Sequence, residues 1–128
     1  HMFQARMAHM HEQIQSMRDS LRNDDFESTF ELAEHDSLSL AATTMTGPAG
    51  WVYWKPATLK IFDAVRKLRE EEDIPAYFST DTGASVYVNT TDEHAERVAE
   101  VVGNCGVDTA IWEVGGPAQI LDEDEALF

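Results

Sequence analysis

The sequence predicts an α+β domain in which about four helices pack on a small, mostly antiparallel sheet, and three observations predict it. From Phe3 to Leu68 apolar residues recur at steps of three and four, the spacing of helix faces. From Ala76 onward the spacing shortens to two, over brief runs rich in Val, Tyr and Phe and bounded by turn residues. No internal repeat and no linker-like stretch separates the two regimes, so helices and strands belong to one body. The 128 residues suit one domain, and 43% hydrophobic residues are enough to build a core.

Each element has its own justification. His1-Met2 reads as a leader left by cloning and is set aside, which places a single domain over residues 3–122 and an acidic, fraying tail over 123–128. Phe3, Met7, Met10, Ile14, Met17 and Leu21 alternate at four and three and make one long amphipathic helix. Asn23-Asp24-Asp25 breaks it, and Asp24 with Glu27 forms a capping box for a second helix. That helix aligns Phe26, Phe30, Ala33, Ser37 and Leu40, and it leaves Glu27, Glu31 and Glu34 as a solvated acidic face.

Thr46-Gly47-Pro48-Ala49-Gly50 reads as a loop, and Trp51 to Trp54 as a short strand or a packed loop. Pro56 sits in the first turn of a third helix whose apolar side is Leu59, Ile61, Phe62, Val65 and Leu68. The acids from Glu70 to Asp73, with Pro75, end it. Ala76–Ser79 and Ser85–Val88 are predicted strands around the turn Thr80-Asp81-Thr82-Gly83. Thr90 and Glu93 cap a fourth helix through Val98, Val101 and Val102 that stops at Asn104-Cys105-Gly106. Thr109–Val114 is a third predicted strand, closed by Gly115-Gly116-Pro117.

Charge narrows the partners. Twenty-four acids face nine bases, a formal net charge of −15, which disfavours nucleic acid and anionic membrane surfaces. Only three of the bases are lysines, a bias expected of salt-rich cytoplasm, where screening removes self-repulsion. No apolar run reaches the ~18–20 residues that cross a bilayer, and no signal peptide opens the sequence. The lone Cys105 cannot form a disulfide framework, consistent with a cytoplasmic location.

One segment stands out chemically. Asp81 closes an apolar strand and is followed by Thr82, Gly83 and Ala84, which fixes a carboxylate on a rigid base beside backbone that a ligand can approach closely. The same residues also suit an ordinary hairpin turn. Asp81-Thr82-Gly83-Ala84-Ser85 resembles an aspartic-protease motif, but it occurs once, in a largely helical chain, whereas those enzymes pair two such carboxylates on an all-β fold. His9 and His11 are too close in sequence to share a helix face, and no Cys or acid spacing completes a metal site. No Walker loop, dinucleotide fingerprint or nucleophile elbow is present.

Several segments taken in order resemble the C-terminal domain of the mevalonate (di)phosphate decarboxylases, members of the galactokinase, homoserine kinase, mevalonate kinase and phosphomevalonate kinase superfamily. Arg6-Met7-Ala8 lies in the entry helix and Asp25-Phe26 opens the second. Asp36-Ser37 matches the start of an Asp-Ser-Asn-x-x-His-Ala segment. Tyr53 and Thr58 fall at a Pro-Pro-x-x-Tyr loop and at a Ser that starts the next helix. Asp81-x-Gly83 matches Asp-Ala-Gly-Pro-Asn, and Val114-Gly115-Gly116-Pro117-Ala118-Gln119 resembles Val-Gly-x-Gly-Pro-Gln. Each motif is weak alone; six in the right order and spacing are strong, and together they span the chain from Phe3 to about Asp122.

The resemblance implies a ferredoxin-like sandwich and an ATP-dependent decarboxylation in isoprenoid synthesis, in a salt-adapted archaeal type. It implies Asp81 as the catalytic carboxylate, which takes or orients the proton of a tertiary hydroxyl. Thr82, Gly83, Ala84, Ser37 and Tyr53 are the implied substrate-binding residues, with Ser37 open to a second reading as a hydroxyl bonded back to its own helix, and Tyr53 to one as core. Partners implied are phosphorylated mevalonate, the chain's own N-terminal domain and, as in many relatives, a second copy in a homodimer. ATP and Mg2+ are the implied cofactors, held mainly by that N-terminal domain, so the fragment is expected to be inactive alone. Leu38 and Ala41 stand where the family has Asn and His, and Thr82, Ala84 and Ser85 where it has Ala, Pro and Asn, which leaves mono- and diphosphate substrates both open. A small-molecule kinase of the same superfamily and a non-catalytic α+β ligand-binding module are the alternative readings.

Overall fold

The computed structural model describes residues 2–118 and 120. Helices α1 (Met2–Arg22) and α2 (Phe26–Met45) form an antiparallel hairpin, and a loop leads to α3 (Pro56–Glu72). Strands β1 (Tyr77–Ser79) and β2 (Tyr87–Asn89) pair antiparallel, Phe78 opposite Val88. A 3-10 turn (Asp92–His94) then opens α4 (Ala95–Gly103). The chain is therefore α+β, with helices gathered on a small antiparallel sheet. None of the described helices is long and apolar enough to cross a membrane.

The core sits where α3, α4 and β1 meet. Ile61, Phe62, Val65 and Leu68 from α3 pack with Ile74, Ala76 and Phe78, and with Val98 and Val102 from α4. The rings of Phe62 and Phe78 stack at 3.8 Å between centroids, and Trp54 meets Phe62 edge-on at 5.1 Å. Fully burying a side chain of this size contributes about 1.5–3 kcal/mol, so Phe78, with no exposed surface, is among the main fasteners of β1 to α3. Asp73 closes α3 in the left-handed region (φ 55°), and Ile74 N–H reaches back to the carbonyl of Leu68.

Several sequence expectations need correction. The α1 stripe does not reach the core: Phe3, Met7, Ile14 and Leu21 are all more than half exposed, because α1 packs mainly on α2. Met2, set aside with His1, belongs to α1. The cap of α2 lies one residue later than expected, since Asp24 takes a left-handed φ of 52° in the break, and Asp25 Oδ1 accepts from Ser28 N–H. That bond holds the Asp25 carboxyl below its usual range. Glu34 is buried rather than solvated, and Leu59 is exposed because it falls off the line that runs through Ile61, Phe62, Val65 and Leu68.

The 3-10 turn that leads into the fourth helix starts after Thr91, not Thr90, and Thr91 Oγ1 is hydrogen-bonded to His94 Nδ1 at 2.8 Å. Thr109–Val114 forms no strand. A strand needs a neighbour's backbone, and among the described residues the sheet ends at two strands, leaving this run irregular and exposed. The expectations for Gln119 and for the acidic tail fall outside the described residues.

Candidate functional site

The turn between β1 and β2 is held at both ends by helices from elsewhere in the chain. At its start, the buried Thr80 donates its backbone N–H to Ser37 Oγ of α2 at 3.0 Å. Ser37 in turn donates its hydroxyl to the carbonyl of Ala33, also at 3.0 Å. At its end, the carbonyl of Ala84 accepts from Thr58 Oγ1 of α3 at 3.4 Å, and the same hydroxyl accepts Lys55 N–H at 3.0 Å at the helix N-terminus. Between the two tethers Asp81 and Thr82 face solvent. Gly83 lies close beneath the carboxylate: a Cβ placed there would be 3.4 Å from Asp81 Oδ1.

A second set of contacts fixes the strand that delivers this turn. Arg69 of α3 grips Glu34 of α2 with two nitrogens, at 2.9 and 3.0 Å. It also donates to the carbonyl of Ala76. Glu34 Oε2 accepts the N–H of Phe78 at 3.1 Å, so one buried carboxylate ties α2, α3 and β1 together. The guanidinium lies over the ring of Tyr77, 4.6 Å from its centroid. Burial, with the acids Glu27 and Glu31 nearby, pushes the Tyr77 phenol above its usual range despite that cation. Arg6 of α1 adds a bidentate grip on Asp36, the residue before Ser37.

The structure thus brings together Asp81, Gly83, Ala84 and Ser37 from the sequence-derived set, and Thr82 stands open beside them. Ser37 is buried and points at the backbone of the turn, so both readings of its hydroxyl hold at once: it bonds back to the helix and it carries the turn. Tyr53 stays apart. It is half-buried on the loop before α3, with its ring 6.2 Å from Trp51, and no hydrogen bond among the described residues links it to the turn. Leu38 is partly buried against the core, and Ala41 is buried.

Thr80, Glu34 and Arg69 are not singled out by the sequence, whose local spacing places Thr80 only within a turn. Among the described residues, no three His, Cys, Asp or Glu side chains come close enough to hold a metal ion.

A helix-backed turn that presents one carboxylate beside a glycine, on an α+β scaffold, is the feature by which this domain can be compared with known ones. The match is specific: residues 1–114 fit the profile of the mevalonate 5-diphosphate decarboxylase C-terminal domain, and the chain belongs to that family.

A phosphomevalonate decarboxylase of Haloferax volcanii is 73% identical over the whole of this chain. The chain spans 40% of that relative's length. A solved complex of MDDEF with MVAPP, AMPPCP and magnesium superposes with a TM-score of 0.75 over 80% of this chain and 31% of its own, at 23% identity. The mevalonate pyrophosphate decarboxylase of Streptococcus pyogenes superposes at 0.74 over 80% of this chain and 32% of its own, at 27% identity.

Proposed function

We propose that this chain is the carboxylate-bearing domain of an ATP-dependent phosphomevalonate decarboxylase, and that Asp81 is its catalytic residue. The observation that carries the proposal is the doubly tethered turn, which holds Asp81 in the open at the position of the family's Asp-x-Gly. A tertiary alcohol is a poor nucleophile until its proton is removed or oriented, and a fixed carboxylate serves for this. Asp81 accepts the proton of the substrate's 3-hydroxyl as that oxygen takes a phosphoryl group from ATP. Phosphate and CO2 then leave together, and the electrons of the broken C–C bond form the new double bond. Gly83 lets substrate approach the turn without a side chain in the way, and Thr82 and Ala84 line the same approach.

The 73% identity to a protein named for phosphomevalonate favours the monophosphate over the diphosphate. The described residues do not fit ATP itself. They contain no glycine-rich phosphate loop, and a chain with net charge −15 has little to set against a polyphosphate. Nucleotide, Mg2+ and most of the phosphate contacts belong to the remainder of the longer protein, and the fragment alone does not turn over.

The test is ATP-dependent CO2 release by the longer protein in molar salt, from mevalonate monophosphate and diphosphate, with wild type beside Asp81→Asn. A rate loss of about 100-fold or more is expected for a general base, with the fold intact by circular dichroism. Normal turnover by Asp81→Asn overturns the assignment of the site. A stable 3-phosphate product without CO2 replaces the decarboxylase with a kinase.

A further inference from the structure

Acids are spread over most of this chain, 24 among 128 residues, but two stretches are nearly free of them. From Ser37 to Phe62 there is no acid at all, and there are two lysines, Lys55 and Lys60. From Ile74 to Thr91 the one acid is Asp81. These stretches also build the candidate site, since the first holds both tethers, Ser37 and Thr58, and the second holds the turn. A dense negative surface repels an anion, so thinning the acids on one side leaves that side open to a negatively charged ligand.

Lys55 stands where the two stretches meet. Its backbone N–H donates to Thr58 Oγ1 at 3.0 Å, and the same hydroxyl donates to the carbonyl of Ala84 at 3.4 Å. One oxygen thus joins Lys55 to the far end of the turn that carries Asp81. Lys55 is exposed and extended, just ahead of α3. Of the three lysines, only Lys67 has an acid beside it among the described residues, Asp63 at 2.7 Å. An ammonium on a long, flexible stem has the reach to sweep the space over so short a turn.

We infer that Lys55 is a specificity-determining residue, whose ammonium binds the phosphate of the substrate while Asp81 takes its 3-hydroxyl. This role rests on the function proposed above. A short carbon chain separates hydroxyl from phosphate in mevalonate monophosphate. A carboxylate at one end of the turn and a cation at the other therefore match the two ends of that molecule. Lys60 lies more than a helical turn further along α3 and carries the same charge, which makes it the control.

Calorimetric titration of the longer protein with mevalonate monophosphate, in molar salt and without ATP, tests this apart from turnover. Salt at that strength screens the general field and leaves direct contacts. Lys55→Met keeps the backbone N–H and the stem, and it is expected to raise the Kd about 10-fold or more, the loss of one charge-assisted hydrogen bond. Lys55→Arg is expected to recover most of the affinity, and Lys60→Met to stay within about 2-fold of wild type. A Kd for Lys55→Met within about 2-fold of wild type overturns the inference. So does an equal loss in Lys60→Met, which assigns the effect to net charge. CO2 is not read in this titration, so Asp81→Asn judges the decarboxylase reading separately.

Discussion

Ser37 performs two tasks with one oxygen, donating to Ala33 and accepting from Thr80. Its removal leaves a buried backbone N–H without an acceptor, which costs about 1–3 kcal/mol. Because that N–H belongs to the residue before Asp81, the same loss frees the start of the turn. Ser37→Ala is therefore expected to lower the urea midpoint and to reduce CO2 release by the longer protein, while Ser37→Thr, which keeps the hydroxyl, restores most of both. Equal activity in wild type and Ser37→Ala, at a temperature where both are folded, would remove Ser37 from the positioning of Asp81. Ser37 is a positioning residue that acts through the backbone of Thr80.

Among the elements, α2, α3 and β1 converge on the Glu34–Arg69 pair. Glu34→Gln keeps an oxygen for the Phe78 N–H but leaves the Arg69 charge half-buried without its partner, a loss of about 3 kcal/mol. Denaturant unfolding measures it, and replacing Arg69 with Met in the same chain is expected to recover part of the stability. An unchanged midpoint for Glu34→Gln would mean that the clamp contributes nothing.

The elements also show which parts of the structure local sequence can encode. Helix spacing, the Gly-Pro loop, Pro56 at the start of α3 and the Asp-x-Gly turn all act within a few residues, and each appears close to where the sequence placed it. Glu34 reads as solvated in the sequence because Glu27, Glu31 and Glu34 share the spacing of an exposed stripe, while its ion-pair partner lies 35 residues away. Ser37 and Thr80 are 43 residues apart, so the tether had no local signal at all. The α1 stripe and Thr109–Val114 fail differently. Their amphipathic patterns are real, but no surface among the described residues fully covers them. The turn alone makes Asp81 a candidate but is also that of an ordinary hairpin, and the order of six motifs is what favours the functional reading.

Across the whole molecule the dominant fact is charge. Twenty-four acids on a 128-residue chain repel one another, and salt at about 1 M shortens the screening length to about 3 Å. The surface network of Arg97 with Glu72 and Glu100 offsets only a small part of this field. The melting temperature is expected to fall steadily as the protein is dialysed from molar salt to about 0.1 M. A melting temperature that does not respond to salt would show that the acidity is not a salt adaptation.

The turn that carries Asp81 is fastened through the backbone of Thr80 and Ala84, and neither fastening uses the side chain of Asp81 or Thr82. Mutation can therefore rewrite the exposed face of the turn while the scaffold keeps its stability. Under the proposed function, selection for chemistry falls first on the exposed side chains and selection for folding on the tethers beneath them, so a lineage can drift from one substrate to another without first passing through an unfolded ancestor.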